Sequence, residues 1–530
     1  MSDFQAPSIE YSLLMPMLIV FGVATVGVLV EAFAPRQRRY LIQSVLAVLG
    51  VVGALVATII IGANLPENAD HAFGQIAASG AIAVDGPTLF LWGTMLLLAL
   101  VSLLLFAERH LDGGVSAFAG SAAALPGTRA EQEASRSGME HTEVYPLMLF
   151  ALGGMMLFPA SNDLITMFVA LEILSLPLYL LCGLARRRRL LSQEAAMKYF
   201  MLGAFSSGFF LYGIALIYGY AGSMQLGDIS EAISGRIGAE PLLYGGMGLV
   251  TVGLLFKVGA APFQAWVPDV YQGAPTAVTA FMAACTKVSA FGAMLRLFYV
   301  GFGAARWDWA PIIAIVAVLT MAVGSVLALT QTDIKRMLAY SSISHAGFLL
   351  VGLVGIQQVT TGGDPRISSV QAMLFYLVSY GFLVVASFAL VTVVRDAGGG
   401  EATHLSRWSG LGKASPLAAG VMAYFLIAMA GLPLTSGFTG KWAVFTSALS
   451  GGHATLVVIA VLLSVVAAFF YFRVIVLMFF ADPVGEAPTV AMPSILTTIV
   501  IAVGLAATVV MGIYPGPVLD LAGAVGQFVR

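Results

Sequence analysis

Long apolar segments separated by short polar connections run through almost the whole chain. A bilayer core about 30 Å thick needs roughly 20 helical residues, and on that rule the sequence predicts about fourteen membrane-spanning helices. They fall near residues 12–34, 40–63, 86–108, 145–160, 162–184, 190–220, 242–268, 275–301, 309–330, 334–356, 367–394, 415–446, 453–480 and 492–515, and the fourth is short. The pattern predicts an all-α polytopic membrane protein.

The seventh and twelfth predicted helices contain helix-breaking residues. Pro262 interrupts the seventh, and Gly431 with Pro433 interrupts the twelfth. Helices 4–8 and 9–13 form two sets of five, and because five is odd the second set enters the membrane from the opposite side. Breaks at the same place in both sets predict two inverted five-helix repeats, an architecture in which unwound backbone lies at the transport site.

Polar connections divide the chain further. They predict three helices over 1–108, a polar cytoplasmic loop over 109–144, repeats over 145–301 and 302–480, and a last helix within 481–530. The loop is rich in Ala, Gly and Ser, which is typical of a flexible connection.

The first residues, MSDFQAPSIEYS, lack a basic region and a small-residue cleavage site, which argues against a cleaved signal peptide.

Composition supports a membrane protein and argues against nucleic-acid, metal and cofactor binding by this chain. The chain has 530 residues, of which 59% are hydrophobic and 10% are charged, and its net charge of -2 gives no electrostatic case for nucleic acid. Cys182 and Cys285 stand far apart in apolar runs, without the spacing that zinc, iron–sulfur or disulfide chemistry needs. The sequence therefore predicts no metal and no cofactor bound by this chain, so that any redox centre belongs to a partner.

Basic residues in the loops indicate the orientation. With the N-terminus outside, most loop Lys and Arg, including the run 186–189, fall on the inner side. This predicts both termini on the outer side.

Arg296 and Arg473 lie near span ends, where a long side chain can reach the interface, and a structural role is favoured for both.

Ionisable residues recur at mid-depth, where a charge is costly and is a functional candidate by default. A helix rises 1.5 Å per residue, which places four ionisable groups near mid-depth in helices 5, 7, 8 and 10: Glu172, Lys257, Lys287 and His345. Lys198 in helix 6 lies shallower, and Lys441 follows the break of helix 12. Burial disfavours the charged form of lysine and a nearby carboxylate favours it. The set therefore predicts a path for protons along the middle of the membrane.

Structural alternatives stand beside these functional interpretations. Glu172 and Lys198 also fit a static ion pair between neighbouring helices, and buried lysines can be purely structural. His345 also fits a packing histidine bonded to a serine. Lys335 lies at a span edge in TDIKR, where it could either set the orientation of the chain in the membrane or relay protons. For Asp269, in the loop after Trp266, a turn-forming role is favoured.

Three segments resemble one known family. They are FKVGAAPFQAWVPDVYQGAPTAVTAFMAACTKVSAFGAMLR, TDIKRMLAYSSISHAGF and GLPLTSGFTGKW. Together they are similar to the antiporter-like subunits of proton-pumping NADH:quinone oxidoreductase, respiratory complex I, and VPDVYQGAP looks most like the bacterial subunit N branch. The resemblance is closest over 145–480 and implies a fourteen-helix fold with inverted repeats and broken helices 7 and 12.

The resemblance also implies roles for the residues. The glutamate and lysine that pair between helices 5 and 6 in that family correspond to Glu172 and Lys198. The central proton site corresponds to Lys257. Lys287 and His345 then lead towards the lysine of helix 12, here Lys441, from which the proton leaves.

The implied protein is a non-redox subunit of a translocase in a bacterial inner membrane, with periplasmic termini. NADH, FMN, iron–sulfur clusters and quinone are expected in partner subunits, and the expected partners are other membrane and peripheral subunits of the complex, including neighbouring antiporter-like ones. Two rival interpretations remain: a subunit of a multi-subunit sodium/proton antiporter, and a passive scaffold for neighbouring pump subunits.

Overall fold

The computed structural model describes residues 9–65, 73–112, 114–120, 128–130, 133, 140–235, 238–355, 367–396, 399–483 and 489–529. The extreme termini, which the sequence predicts to face outward, lie outside the described residues at 1–8 and 530.

Helices make up most of the described structure. In chain order they are α1 (Tyr11–Phe33), α2 (Arg36–Asn64), α3 (Gly86–Phe106), α4 (Val144–Ala160), α5 (Leu164–Cys182), α6 (Arg189–Ala221), α7 (Leu226–Gly235), α8 (Glu240–Val258), α9 (Trp266–Gly273), α10 (Thr276–Gly301), α11 (Arg306–Leu329), α12 (Ile334–Val354), α13 (Ser369–Val393), α14 (Leu411–Ala414), α15 (Pro416–Ala430), α16 (Ser436–Ser450), α17 (Ala454–Phe480), α18 (Ile495–Ile513) and α19 (Gly516–Ala524). Short antiparallel strands pair β1 (Gly74–Ala77) with β2 (Ile82–Asp85), and β3 (Val394–Arg395) with β4 (Thr489–Val490).

The all-α membrane fold is confirmed, but the count of fourteen spans is not. Twelve of the described helices are long and apolar enough to cross a membrane. The shorter apolar helices α4 and α15 have 17 and 15 residues. The difference arises because α4 is short and because the twelfth predicted span is divided into α15 and α16.

Both predicted breaks are present. α8 ends just before Gly259, which has φ 75°, and the chain passes Pro262 before α9 begins. α15 ends just before Gly431, which has φ 85°, and the chain passes Pro433 before α16 begins. Glycine takes these angles without steric cost. A Cβ atom at Gly431 would also meet Cδ of Lys441 at 2.9 Å, so both breaks depend on glycine as well as proline.

We expect Gly431→Ala to destabilise the protein by more than about 1 kcal/mol, because alanine in the left-handed region is strained and its Cβ would press on Lys441. Gly420→Ala is the matched control, since Gly420 lies inside α15 and a Cβ there meets nothing within 4 Å. That control should be stabilising by about 0.5–1 kcal/mol. Thermal unfolding of the purified membrane assembly measures both, and equal shifts would contradict the expectation.

Three helices form the centre of the bundle. Within their apolar windows, 100% of α10 and 94% of α12 and α13 are buried inside the chain. By contrast, the windows of α1, α2, α17 and α18 are only 33%, 28%, 33% and 28% buried. Side chains projecting from α10, α12 and α13 towards one another are therefore shielded from lipid by the outer helices.

The loop expected over 109–144 is described only in part, since residues 113, 121–127, 131, 132 and 134–139 lie outside the described residues. In the described part, Arg109 forms an ion pair with Glu140 at 2.7 Å. Phe118 packs on Phe106 of α3, with ring centroids 5.2 Å apart. The first contact joins the two ends of the loop, and the second attaches its described part to α3.

Candidate functional site

Lys257 lies in the last turn of α8, directly before the first break. Its Nζ donates to Oγ of Ser175 on α5 at 2.8 Å and to the hydroxyl of Tyr199 on α6 at 3.2 Å. The Tyr199 ring stacks on Trp266, the first residue of α9, at 4.5 Å between centroids. Lys257 is only 3% exposed, and no ion pair involves it within the described part of the chain. The break and two other helices therefore hold this lysine with neutral groups.

Lys287 follows a π-helical turn inside α10. Such turns occur frequently at functional sites. Its Nζ donates to the backbone carbonyl of Ser342 on α12, and the Tyr380 ring on α13 lies 5.7 Å away. Lys287 is 3% exposed and, like Lys257, is held by neutral groups.

His345 on α12 has a hydroxyl partner at each ring nitrogen. Nδ1 lies 2.7 Å from the hydroxyl of Tyr376 on α13, and Nε2 lies 3.3 Å from that of Tyr471 on α17. Tyr471 is also hydrogen-bonded to Ser341, four residues before the histidine on α12. Because a tyrosine hydroxyl both donates and accepts, the arrangement suits either protonation state of the imidazole.

The second break supplies hydrogen-bond acceptors for Lys441 on α16. Its Nζ donates to the carbonyls of Met429 at 3.2 Å and Ala430 at 2.9 Å, and to Oγ of Ser464 on α17 at 2.9 Å. The last carbonyls of a helix lack intrahelical partners and carry the negative end of its dipole. The end of α15 therefore stabilises the ammonium group without a carboxylate.

Three of these groups share aromatic neighbours. The Tyr380 ring centroid lies 5.7 Å from the Lys287 Nζ and 4.9 Å from the His345 ring. The Phe348 ring lies 6.1 Å from the His345 ring and 4.6 Å from the Lys441 Nζ. The structure thus places Lys287, His345 and Lys441 around two shared rings, whereas no hydrogen bond among the described residues joins Lys257 to them.

The ion pair expected between Glu172 and Lys198 is not formed. Nζ of Lys198 lies 2.7 Å from Glu194 on its own helix and 2.7 Å from Asp269 on α9. Asp269 also lies 2.5 Å from Nη1 of Arg336 at the start of α12. Oε1 of Glu172 is buried without a hydrogen-bond partner. The reason is geometric: α9 places a carboxylate within reach of Lys198, so Asp269 joins three helices instead of only forming a turn.

Lys335 is buried although it lies at the start of α12. It is 3% exposed, and its Nζ donates to the carbonyl of Ala274 at 2.8 Å and lies 4.0 Å from Oε2 of Glu401. It forms part of the wall of a cavity of about 490 Å³.

The expectation that Arg296 reaches the membrane interface is wrong. Its side chain is fully buried, with Nη2 2.7 Å from Oδ1 of Asp85 and Nε donating to the carbonyl of Pro159 at 2.6 Å. Asp85 lies at the start of α3, 211 residues earlier, so no local pattern showed the pair. Arg473 does remain exposed, and its Nη1 donates to the carbonyl of Leu329 at the end of α11.

Sequence reasoning missed the tyrosines that contact the ionisable groups. Tyr199 directly follows Lys198, and Tyr376 and Tyr380 are four residues apart and therefore share a face of α13. The four-residue spacing could have indicated that both hydroxyls face the same neighbouring helix. Among the described residues no group of three or more His, Cys, Asp or Glu is placed to hold a metal ion.

Broken helices with buried lysines beside the breaks define an antiporter-like membrane protein. The family described as NADH:quinone oxidoreductase/Mrp antiporter, TM, matches residues 161–467. The protein named NADH-quinone oxidoreductase subunit N of Nocardioides sp. is 64% identical over 533 residues, covering 100% of both chains. Its namesake of Parafrankia sp. is 58% identical, covering 99% of this chain and 97% of that protein. The chain belongs to the subunit N family of NADH-quinone oxidoreductase.

Solved structures share the fold. A chain of respiratory complex I from Thermus thermophilus with bound aureothin is 31% identical with a TM-score of 0.74, covering 96% of this chain and 100% of that one. A chain of the Mrp complex from Dietzia sp. has a TM-score of 0.80 at 19% identity, covering 98% and 97%. At that identity the second likeness shows the fold alone.

Proposed function

We propose that the chain is a proton-translocating membrane subunit of NADH:quinone oxidoreductase, which moves protons while electrons pass from NADH to quinone in other subunits. One observation carries this proposal. Lys257, Lys287 and Lys441 are 3%, 3% and 4% exposed, and within the described chain they bind hydroxyl and carbonyl oxygens and form no ion pair.

Neutral partners suit a lysine that gains and loses a proton. A buried ammonium group that has no counter-charge is costly to keep, so its charged state is not fixed as it is in a structural ion pair. The hydroxyls of Ser175 and Tyr199 can accept from the ammonium form of Lys257 and donate to its neutral amine. Lys257 can therefore change protonation without losing its partners.

The proposed order runs from Lys257 through Lys287 and His345 to Lys441. His345 can receive a proton at one ring nitrogen and release one at the other, because each has a hydroxyl neighbour. Lys335 is a further relay candidate, near the cavity.

Glu172 and Lys198 are proposed to control the first step. Glu172 lies one turn before Ser175 on α5, and Ser175 binds Lys257. Coulomb coupling across such separations amounts to about 1–4 kcal/mol at an effective dielectric near 20. A change of charge at Glu172, or opening of the contact between Lys198 and Asp269, would therefore change the proton affinity of Lys257.

The remaining parts of the proposal concern the assembly. Residues 145–301 and 302–480 are taken as inverted repeats, supported by the matching breaks between α8 and α9 and between α15 and α16. Other membrane and peripheral subunits are the partners, and they hold the FMN, iron–sulfur clusters and quinone site. The chain lies in a bacterial inner membrane with periplasmic termini, supported by the basic inner loops.

Lys441→Met in the whole complex, reconstituted into vesicles, tests the proposal. Proton uptake per NADH oxidised should fall to background, because methionine fills the site but carries no proton. Lys413→Met is the matched control: that side chain is 71% exposed, and its one ion pair among the described residues, with Asp482 at 2.8 Å, is a surface pair of little energetic weight. Unchanged proton uptake in correctly assembled Lys441→Met complex would overturn the proposal.

The rivals predict different results. A sodium/proton antiporter subunit would co-purify in mild detergent without flavin or iron–sulfur subunits. A passive scaffold would keep full pumping when Lys257, Lys287 and Lys441 are all replaced by methionine. The 64% identity to a subunit N over the whole chain favours the oxidoreductase.

A further inference from the structure

A cavity of about 490 Å³ lies at one end of the bundle, where α6 and α12 begin and α13 ends. We call it the end cavity. Its described walls include Thr276, Lys335 and Glu401. One water needs only about 10–15 Å³ of such space, together with polar partners, so the end cavity has room for a cluster of waters. A titratable group in its wall can therefore exchange protons with water.

Glu401 connects the end cavity to a buried lysine. Its side chain is 24% exposed and that of Lys335 is 4% exposed, and Oε2 of Glu401 lies 4.0 Å from Nζ of Lys335. The same oxygen accepts a hydrogen bond from Oγ1 of Thr276 at 2.7 Å. Among the described residues, no other carboxylate lies within 4.0 Å of the Lys335 amine. Glu401 can thus reach both the water of the cavity and Lys335.

Backbone hydrogen bonds hold Glu401 in this position. Ala402, the next residue, donates its amide to the carbonyl of Val394, directly after α13, at 3.0 Å. Thr403 accepts from the amide of Ile334, the first residue of α12, at 2.7 Å. The segment that carries Glu401 is therefore attached to two helices. A contact that is preorganised in this way needs no large movement before a proton passes.

The distance between Glu401 and Lys335 differs from that of a structural ion pair. Arg296 and Asp85 lie 2.7 Å apart, whereas Glu401 and Lys335 lie 4.0 Å apart, and the attraction between charges falls with distance. Nζ of Lys335 also donates to the carbonyl of Ala274 at 2.8 Å. A neutral amine keeps an N–H group for that carbonyl and has a lone pair free for a proton. Lys335 can therefore change protonation without losing this partner.

α12 leads from Lys335 towards Lys287 of α10. Lys335 and Ser342 lie about two helical turns apart and therefore share a face of α12. The carbonyl of Ser342 accepts from Nζ of Lys287. One face of α12 thus carries Lys335 and the contact to Lys287, about 10 Å apart along the helix axis. A few waters or hydroxyls span that distance, so Lys335 stands at the beginning of the proposed proton path.

We propose that Glu401 is a catalytic residue of proton translocation, which takes protons from water in the end cavity and passes them to Lys335. The carboxylate gains a proton from hydronium and becomes a neutral acid. Its O–H bond then breaks as an N–H bond forms on the neutral amine of Lys335, which leaves an ammonium group and restores the carboxylate. This role rests on the proposed function, because it supplies that proton path with its entry.

Glu401→Gln in the whole complex, reconstituted into vesicles, tests this role. Glutamine keeps the shape and can still accept from Thr276, but it carries no proton. Proton uptake and quinone reduction driven by NADH should fall by about tenfold or more, since general acid–base groups typically contribute at least that much. Asp396→Asn is the matched control and should keep wild-type rates. It removes a carboxylate from the same wall, but one that lies 3.8 Å from Nε of Arg407 rather than beside Lys335.

Glu401→Ala with an added weak acid separates proton transfer from a structural role. Alanine leaves a space beside the end cavity that formate or azide can fill, and each of these anions can carry a proton. Quinone reduction is measured with a protonophore present, so that the weak acid cannot act by changing the proton gradient. Both weak acids should raise the rate of Glu401→Ala severalfold and leave the rates of the wild type and of Lys335→Met unchanged.

Wild-type rates in Glu401→Gln and Glu401→Ala would overturn the role of Glu401. Equal losses in Glu401→Gln and Asp396→Asn would do so too, as would a loss in Glu401→Ala that no weak acid restores. Lys441→Met distinguishes this failure from failure of the proposed function. If Lys441→Met abolishes proton uptake while Glu401→Gln keeps it, the chain translocates protons through another entry. If Lys441→Met keeps it, the proposed function itself fails. Subunit content establishes that each variant is assembled.

Discussion

Replacing Lys257 with alanine is expected to lower the proton uptake of the reconstituted complex by at least about tenfold, the effect of about 1.4 kcal/mol on a rate. Lys257 is the lysine beside the first break, and its partners Ser175 and Tyr199 come from two other helices. Its loss would leave two buried hydroxyls but no group able to take the proton. Proton uptake by a pH-sensitive dye and quinone reduction are measured on the same vesicles.

Lys257→Arg separates a relay from a structural role. Arginine keeps the positive charge but does not release its proton in proteins. A relay therefore predicts that arginine fails as alanine does, whereas a structural cation predicts that arginine restores activity. Wild-type pumping and quinone reduction in the alanine variant would refute the role proposed for Lys257. Subunit content and melting temperature establish that each variant is assembled.

Asp85→Ala is expected to be the most destabilising of the substitutions considered, at about 3–5 kcal/mol, because removing one partner leaves a buried charge uncompensated. Asp85 and Arg296 are both fully buried and lie 2.7 Å apart. Nη1 of Arg296 already lacks a hydrogen-bond partner among the described residues. Oδ2 of Asp85 also accepts from the backbone of Val529, so the same carboxylate holds the C-terminal segment.

Asp163→Ala is the matched control for this prediction. Asp85 and Asp163 each cap a helix by accepting from the backbone amide and hydroxyl of a threonine three residues on, Thr88 and Thr166. Only Asp85 adds the buried ion pair, so Asp163→Ala should cost about 1 kcal/mol, the value of a cap. Thermal and SDS-induced unfolding measure the difference, and similar losses would show that the ion pair adds nothing.

The replacement Asp85→Leu/Arg296→Met removes both charges together. Since apolar replacement of a buried pair is often neutral or stabilising, the double variant should recover much of the stability lost in Asp85→Ala. A double variant no more stable than Asp85→Ala would point to the cap and the C-terminal contact as the main contributions.

The breaks and the buried lysines were predictable because their signals are local. An apolar run of bilayer length, a glycine and a proline within it, and a lysine at mid-depth are all read from neighbouring residues. Pro262 and Gly431 thus marked the ends of α8 and α15, and Lys441 was correctly expected beside the second break. The short length of α4 was also anticipated, although it left the span count unconfirmed.

The partners of the charged groups were not predictable, because they lie far away in the chain. Lys198 binds Asp269 rather than Glu172, and Arg296 binds Asp85 rather than reaching the interface. Helical spacing identifies which residues share a face but not which face of another helix it meets.

The sequence alone determined that this chain is a helical membrane protein with two interrupted helices and several costly charges within its spans, because hydrophobic length and helix breaking are properties of contiguous residues. Tertiary structure alone decided how those charges are held. It joined Lys441 to the end of α15 and gave His345 its two tyrosines. Such contacts arise only when distant helices pack together, since the strength of a charge interaction depends on distance in space.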